Sequence, residues 1–202
     1  MEEHSRMDQE QPKAQGDEYS PSPLILLLRV MTSPVDGWKA LKRARLAPPE
    51  MARGSFYPLM ALAAAAKFLT FFYTSNATVS SVLTDAVVVF VSYFLAYFAA
   101  QLCCRLFSSK ISEKLIDPFG RNFMITAMST MVLFTVIQEA LPMAEPVLVF
   151  LPLYTAYLIF CGVKYLRLPH VSQTRVAIVI SVMIITFPGL IDWFFSAIIP
   201  RP

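Results

Sequence analysis

Histidine and cysteine are scarce in this chain: 202 residues hold two histidines, His4 and His170, and three cysteines, Cys103, Cys104 and Cys161. His4 falls in a polar start and His170 beside a cluster of cations, so neither is placed to act as a base or ligand inside an apolar segment. No zinc spacing occurs. The chain also has no His-Glu-x-x-His, no Gly-x-Ser-x-Gly elbow and no glycine-rich phosphate loop. Gly189-Leu190-Ile191-Asp192 differs from the Gly-x-Gly-Asp of intramembrane aspartyl proteases. These absences exclude the familiar catalytic constellations. The expectation is a non-enzyme with no catalytic residue, no metal and no cofactor. The cysteines all lie in apolar runs and read as small buried apolar residues, the alternative for Cys103 and Cys104 being acylation.

Charge is scarce too. Asp, Glu, Lys and Arg make up 15% of the chain, against 56% hydrophobic residues and a mean hydropathy of +0.55. Soluble domains carry about 25% charge. The net charge of +3 is small, and the basic residues sit at the edges of apolar runs rather than on one reading face, which argues against nucleic acid as a partner. Five apolar blocks, roughly 57–74, 83–107, 123–142, 146–166 and 176–199, explain the excess. Each is near the roughly 20 residues that a helix needs to cross a bilayer. Backbone groups in lipid need internal partners, so such blocks must be helices. The fold class expected is all-α: a polytopic membrane protein with five transmembrane helices (57–199) preceded by an N-terminal interfacial amphipathic helix.

Residues 1–22 are polar and acidic and read as a disordered cytosolic tail. The acidic start, Met1-Glu2-Glu3-His4, is not the basic opening of a signal peptide. Segment 23–56 begins with Leu24-Ile25-Leu26-Leu27-Leu28, too short to span. In Thr32-Ser33-Pro34-Val35-Asp36-Gly37-Trp38, Ser33 is placed as an N-cap and Pro34 as the first helical residue. The helix that follows sets Val35, Trp38 and Leu41 against Lys39, Lys42, Arg43 and Arg45, and Pro48-Pro49 ends it. That pattern predicts a helix in the headgroup plane, with Trp38 as anchor and the cations on anionic lipid. The alternative is an amphipathic helix packed on the bundle's own loops.

Orientation follows from the cations. Lys39, Lys42, Arg43, Arg45 and Arg53 precede block one, and Thr74-Ser75-Asn76-Ala77-Thr78 after it has none. Arg105, Lys110, Lys114 and Arg121 follow block two. Glu139 and Glu145 flank the next turn, Lys164, Arg167 and Arg175 the one after, and Arg201 stands alone in the tail. The alternation predicts a cytoplasmic N-terminus and an extracytoplasmic C-terminus, in what reads as a bacterial cytoplasmic (inner) membrane. Asn76-Ala77-Thr78 has the form of a glycosylation sequon but lies too close to the bilayer to weigh.

Ionisable residues within apolar blocks are costly and call for a hypothesis. Lys67, Asp85, Glu139 and Asp192 are the intramembrane polar cluster. Equal depth below the turn joining blocks one and two predicts a Lys67–Asp85 ion pair, with Asp192 and Glu139 as further partners in the outer half. Pro152, Pro188 and Gly189 are expected helix kinks. Together these features support an alternative function, a small transporter or channel component working through intramembrane charges. Polar residues do not continue across the inner half, where Gln101, Ser129 and Thr130 are the main candidates.

Thr32-Ser33-Pro34-Val35-Asp36-Gly37-Trp38, a Pro-x-x-Gly-Trp stretch before a basic helix, followed by five apolar blocks, resembles the Yip-one domain family of Ypt/Rab-interacting proteins over roughly residues 24–199. The likeness is to small bacterial members. The Asp-Leu-Tyr-Gly-Pro signature of eukaryotic members has no counterpart, Asp117-Pro118-Phe119-Gly120 being a different arrangement. The resemblance implies a non-catalytic protein that organises or traffics membrane components, and it carries no catalytic residue across. The partners expected are membrane lipids with anionic headgroups, and other membrane proteins or a second copy of the chain.

Overall fold

A computed structural model describes residues 21–75, 77–106, 109–141 and 150–198, except for the side chains of residues 109 and 110. The acidic tail up to residue 20, Asn76 of the sequon, the Lys110 side chain, Glu145, Arg201 and the C-terminus lie outside the described residues. All described elements are helices. In chain order they are α1 (Pro23–Thr32), α2 (Pro34–Ala44), α3 (Pro48–Tyr73), α4 (Val79–Cys104), α5 (Ser109–Ile116), α6 (Pro118–Ala140), α7 (Leu151–Leu166) and α8 (His170–Ile198). Four of them, α3, α4, α6 and α8, are long and apolar enough to cross a membrane. The fourth apolar block is represented by α7. Its 13 α-helical residues and three-residue 3-10 turn sum to 16, short of the span length; residues 146–149 of that block are not among those described.

Local chemistry sets the helix ends. Pro48 and Pro49 do not end α2. That helix stops at Ala44, where Arg45 turns into the left-handed region at φ 46°. The two prolines instead open α3, where a missing N–H costs nothing. The first long helix therefore begins nine residues before the apolar block (48 against 57), with one π turn at Ala52–Phe56. Thr78 caps α4 by accepting from the Ser81 amide, and the Ser81 hydroxyl oxygen in turn accepts from the Thr78 amide, a capping box. Pro152 lies in the first turn of α7, so among the described residues it starts a helix rather than kinking one. Pro188 is inside α8, where it offers no N–H to the Ile184 carbonyl. A Cβ on Gly189 would meet open space.

α6 is the centre of the bundle. Every residue from Asn122 to Val132 is buried, so the helix is enclosed on all sides. Two of its buried threonine hydroxyls are satisfied locally, whereas the Ser129 Oγ has no hydrogen-bond partner among the described residues. Thr126 donates to the Asn122 carbonyl at 2.7 Å and Thr130 to the Thr126 carbonyl at 3.0 Å, as a donor without water requires.

The N-terminal helices belong to this core. Leu26, Leu27 and Val30 of α1 and Trp38 and Leu41 of α2 are buried in it. α1 and α2 form a hairpin so close that a Cβ on Gly37 would stand 2.4 Å from the Val30 Cα. Three hydrogen bonds tie the α1–α2 hairpin to α7, one from the end of α1 and two from α2. The Tyr154 hydroxyl donates to the Met31 carbonyl, the Trp38 indole to the Leu158 carbonyl at 3.0 Å, and the Lys42 ammonium to the Tyr165 carbonyl at 2.7 Å.

Candidate functional site

The four ionisable residues of the apolar blocks share one layer. Lys67 lies 19 residues into α3 (48 to 67) and Glu139 lies 21 into α6 (118 to 139). Asp85 lies 19 from the end of α4 (85 to 104) and Asp192 lies 22 into α8 (170 to 192). At 1.5 Å per residue these are all about 28–33 Å from the end of the bundle that holds Pro48, Cys104, Pro118 and His170. Lys67, Asp85 and Asp192 line one cavity of about 200 Å³, together with Ser92, Tyr93 and Thr135 and an apolar wall that includes Val89 and Pro188.

Within the layer the closest ion pair joins Lys67 to Glu139. The Lys67 ammonium stands 2.5 Å from a Glu139 carboxylate oxygen, with 22% and 23% of the two side chains exposed. Glu139, one of the further partners expected in this layer, is thus in direct ion-pair contact with Lys67. α3 and α6 run in the same direction and bring the two residues to the same level, whereas depth below a shared turn says nothing about which side of α4 carries Asp85. The Tyr73 hydroxyl, donating to the Ala140 carbonyl at 3.2 Å, ties the same two helices at their outer ends. Tyr93 and Thr135 share a 2.5 Å hydroxyl–hydroxyl bond across the α4–α6 contact. Ser92, 2% exposed, lines the cavity with its Oγ lacking a hydrogen-bond partner among the described residues. A buried hydroxyl of this kind is costly. Ser92, Tyr93 and Thr135 were not legible as site residues, because isolated hydroxyls in apolar runs carry no pattern. Chemically, carboxylates, an ammonium and hydroxyls around a small cavity can hold a polar or charged small solute. Among the described residues no three His, Cys, Asp or Glu side chains gather as a metal site would need.

The opposite end of the bundle is cationic. Here the expected headgroup anchor fails: Trp38 is fully buried, its ring 5.0 Å from that of Phe123, and a Cβ on Gly162 would press 2.6 Å from both rings. Trp38 is corrected from lipid anchor to core residue, because the gap at Gly162 and the Leu158 carbonyl satisfy the indole's ring and N–H together. Lys39 remains exposed and reaches Asp36 at 3.8 Å, and Arg43 and Arg45 are exposed. Lys42 is half-buried over the Phe119 ring at 5.3 Å. Burial first, and the neighbouring Arg167 guanidinium second, hold its ammonium below the usual lysine range. Lys42, Lys114, Asp117, Phe119, Tyr165 and Arg167 line a second pocket of about 270 Å³.

No family model, curated protein or solved structure matches this chain.

Proposed function

We propose that this chain is an integral membrane protein with five spans, α7 being part of the fourth, and that it organises or traffics membrane components without catalysing a reaction. Its N-terminus lies in the cytoplasm and its C-terminus outside, in a bacterial inner membrane. The observation that carries the reading is the one-ended distribution of loop cations. Lys42, Arg53, Arg105, Lys114, Arg121, Lys164 and Arg175 all flank helix ends on the same side of the bundle, whereas Lys67, near the other side, is bound to Glu139. Cations held at one face are the mark of a cytoplasmic leaflet. The Yip-one resemblance of Thr32–Trp38 supports the organising role. Purification of the full chain from native membranes in mild detergent tests it. The reading expects a specific membrane protein, or a second copy of the chain, at reproducible stoichiometry; a chain recovered alone and monomeric in every mild detergent would contradict it.

The polar cavity favours a second reading, a small transporter or channel component. In proteoliposomes this reading expects solute or ion flux that is lost on Asp192→Asn. Flux absent from the native chain, or unchanged by Asp85→Asn, Asp192→Asn and Lys67→Met, contradicts it.

A further inference from the structure

We propose that the pocket bounded by Lys42, Lys114 and Arg167 binds the phosphate of an anionic phospholipid headgroup from the leaflet at the cationic end of the bundle. The proposal deepens the membrane-organising reading and depends on that end facing a leaflet.

Three cations and one carboxylate line the pocket. The carboxylate, Asp117, is 3.7 Å from Lys114, and both side chains are more than 40% exposed, a weak pair in water. Among the described residues no carboxylate pairs with Lys42 or Arg167. Lys42 is nonetheless fixed in place. Its ammonium donates one hydrogen bond to the Tyr165 carbonyl at 2.7 Å and sits over the Phe119 ring at 5.3 Å and the Tyr165 ring at 6.0 Å. An ammonium has three N–H donors, so two remain for a ligand. Arg167 follows the 3-10 turn that ends α7, with its backbone in the left-handed region at φ 54°. That conformation is costly for a residue with a Cβ, and glycine or asparagine is the usual choice after a helix. Here the position places a guanidinium at the pocket instead. Lys42 and Arg167 repel each other across it, and a bound anion would turn that repulsion into two attractions.

Depth selects the ligand. Phe119 is the second residue of α6 and Leu166 the last of α7, so the pocket opens where these helices leave the apolar layer. Basic pockets between membrane helices at this level suit lipid phosphates. Arginine offers the forked donors that phosphate oxygens accept in pairs. Lys39 and Arg43, exposed on the same face of α2 as it leaves the bundle, add attraction toward the same leaflet.

The test is titration of the purified full chain, in an uncharged detergent, with short-chain phosphatidylglycerol and with short-chain phosphatidylcholine, read by native mass spectrometry. Phosphatidylglycerol should bind and phosphatidylcholine should not. Arg167→Gln and Lys114→Gln should each weaken phosphatidylglycerol about five-fold, the worth of one cation near a lipid surface. Lys42→Gln should do the same, but Lys42 also caps α7, so the two exposed positions carry the test if that variant fails to fold. Arg53→Gln, a cation outside the pocket, should change nothing. Equal losses from Arg53→Gln and Arg167→Gln would overturn the proposal in favour of diffuse surface charge. Inorganic phosphate that binds as tightly as the lipid would overturn the lipid assignment. The titration needs neither a partner protein nor a membrane orientation. Its failure would therefore leave the organising reading standing, and lipid binding without any recovered partner would do the reverse.

Discussion

The Lys67–Glu139 contact is the most consequential single pairing in the molecule, because a lone charge at that depth would be expensive. Lys67→Met leaves a carboxylate without its cation and should lower stability by about 1–3 kcal/mol, less than a fully buried pair because both groups are partly exposed. A double-mutant cycle with Glu139→Gln, read by thermal unfolding in detergent, should return a coupling of about 1 kcal/mol or more; the matching cycle of Lys67 with Asp85→Asn should return less. The reverse ranking would make Asp85 the principal partner of the lysine. That the four charges belong together was legible, since residue counts along apolar blocks fix depth. Which carboxylate meets the lysine was not, since counts do not fix the rotation of a helix about its axis. Trp38 misled for a related reason. A tryptophan beside lysines reads equally as an interfacial anchor or as a core ring, and the difference lies 124 residues away, in the missing side chain of Gly162. Gly162→Ala should push a methyl into the Trp38 and Phe123 rings and cost about 1–3 kcal/mol, measurable as a lowered melting temperature. An unchanged melting temperature would mean the ring does not sit there.

Among the elements, the α1–α2 hairpin departs furthest from expectation. Its amphipathic pattern was plain, but an apolar face records only that something apolar covers it. Lipid and the flank of α7 are equivalent to the pattern, and α7 wins because it also offers the Leu158 and Tyr165 carbonyls to the indole and the ammonium. The hairpin turn, at Ser33, depends on Gly37 passing against the α1 backbone. Gly37→Ala cannot be absorbed by a flexible side chain, since the nearest atoms are the Cα and N of Val30 and the carbonyl carbon of Arg29. The substitution should loosen α1 and make residues 23–44 the first site of limited proteolysis in detergent, while α3 onward stays intact. Cleavage unchanged from the native chain would show that the hairpin does not rely on this contact. The long helices were more legible. Their starts lie four to nine residues ahead of the apolar blocks, because proline and threonine caps act outside the runs that reveal a span.

At the scale of the whole molecule, two charged regions lie at opposite ends of an apolar bundle: a cationic face around Lys42 and Arg167, and a layer of one lysine and three carboxylates around the Lys67–Glu139 ion pair. Loop cations on one side and apolar rods between are what an orienting membrane reads, and every part of the functional account needs that orientation. The most direct measurement is a pair of reporter fusions in the native host, one after Ala77, between α3 and α4, and one after Leu168, between α7 and α8. The account predicts that the reporter after Ala77 lies outside the cytoplasm and the reporter after Leu168 inside it. Both reporters on one side, or the two reversed, would contradict it.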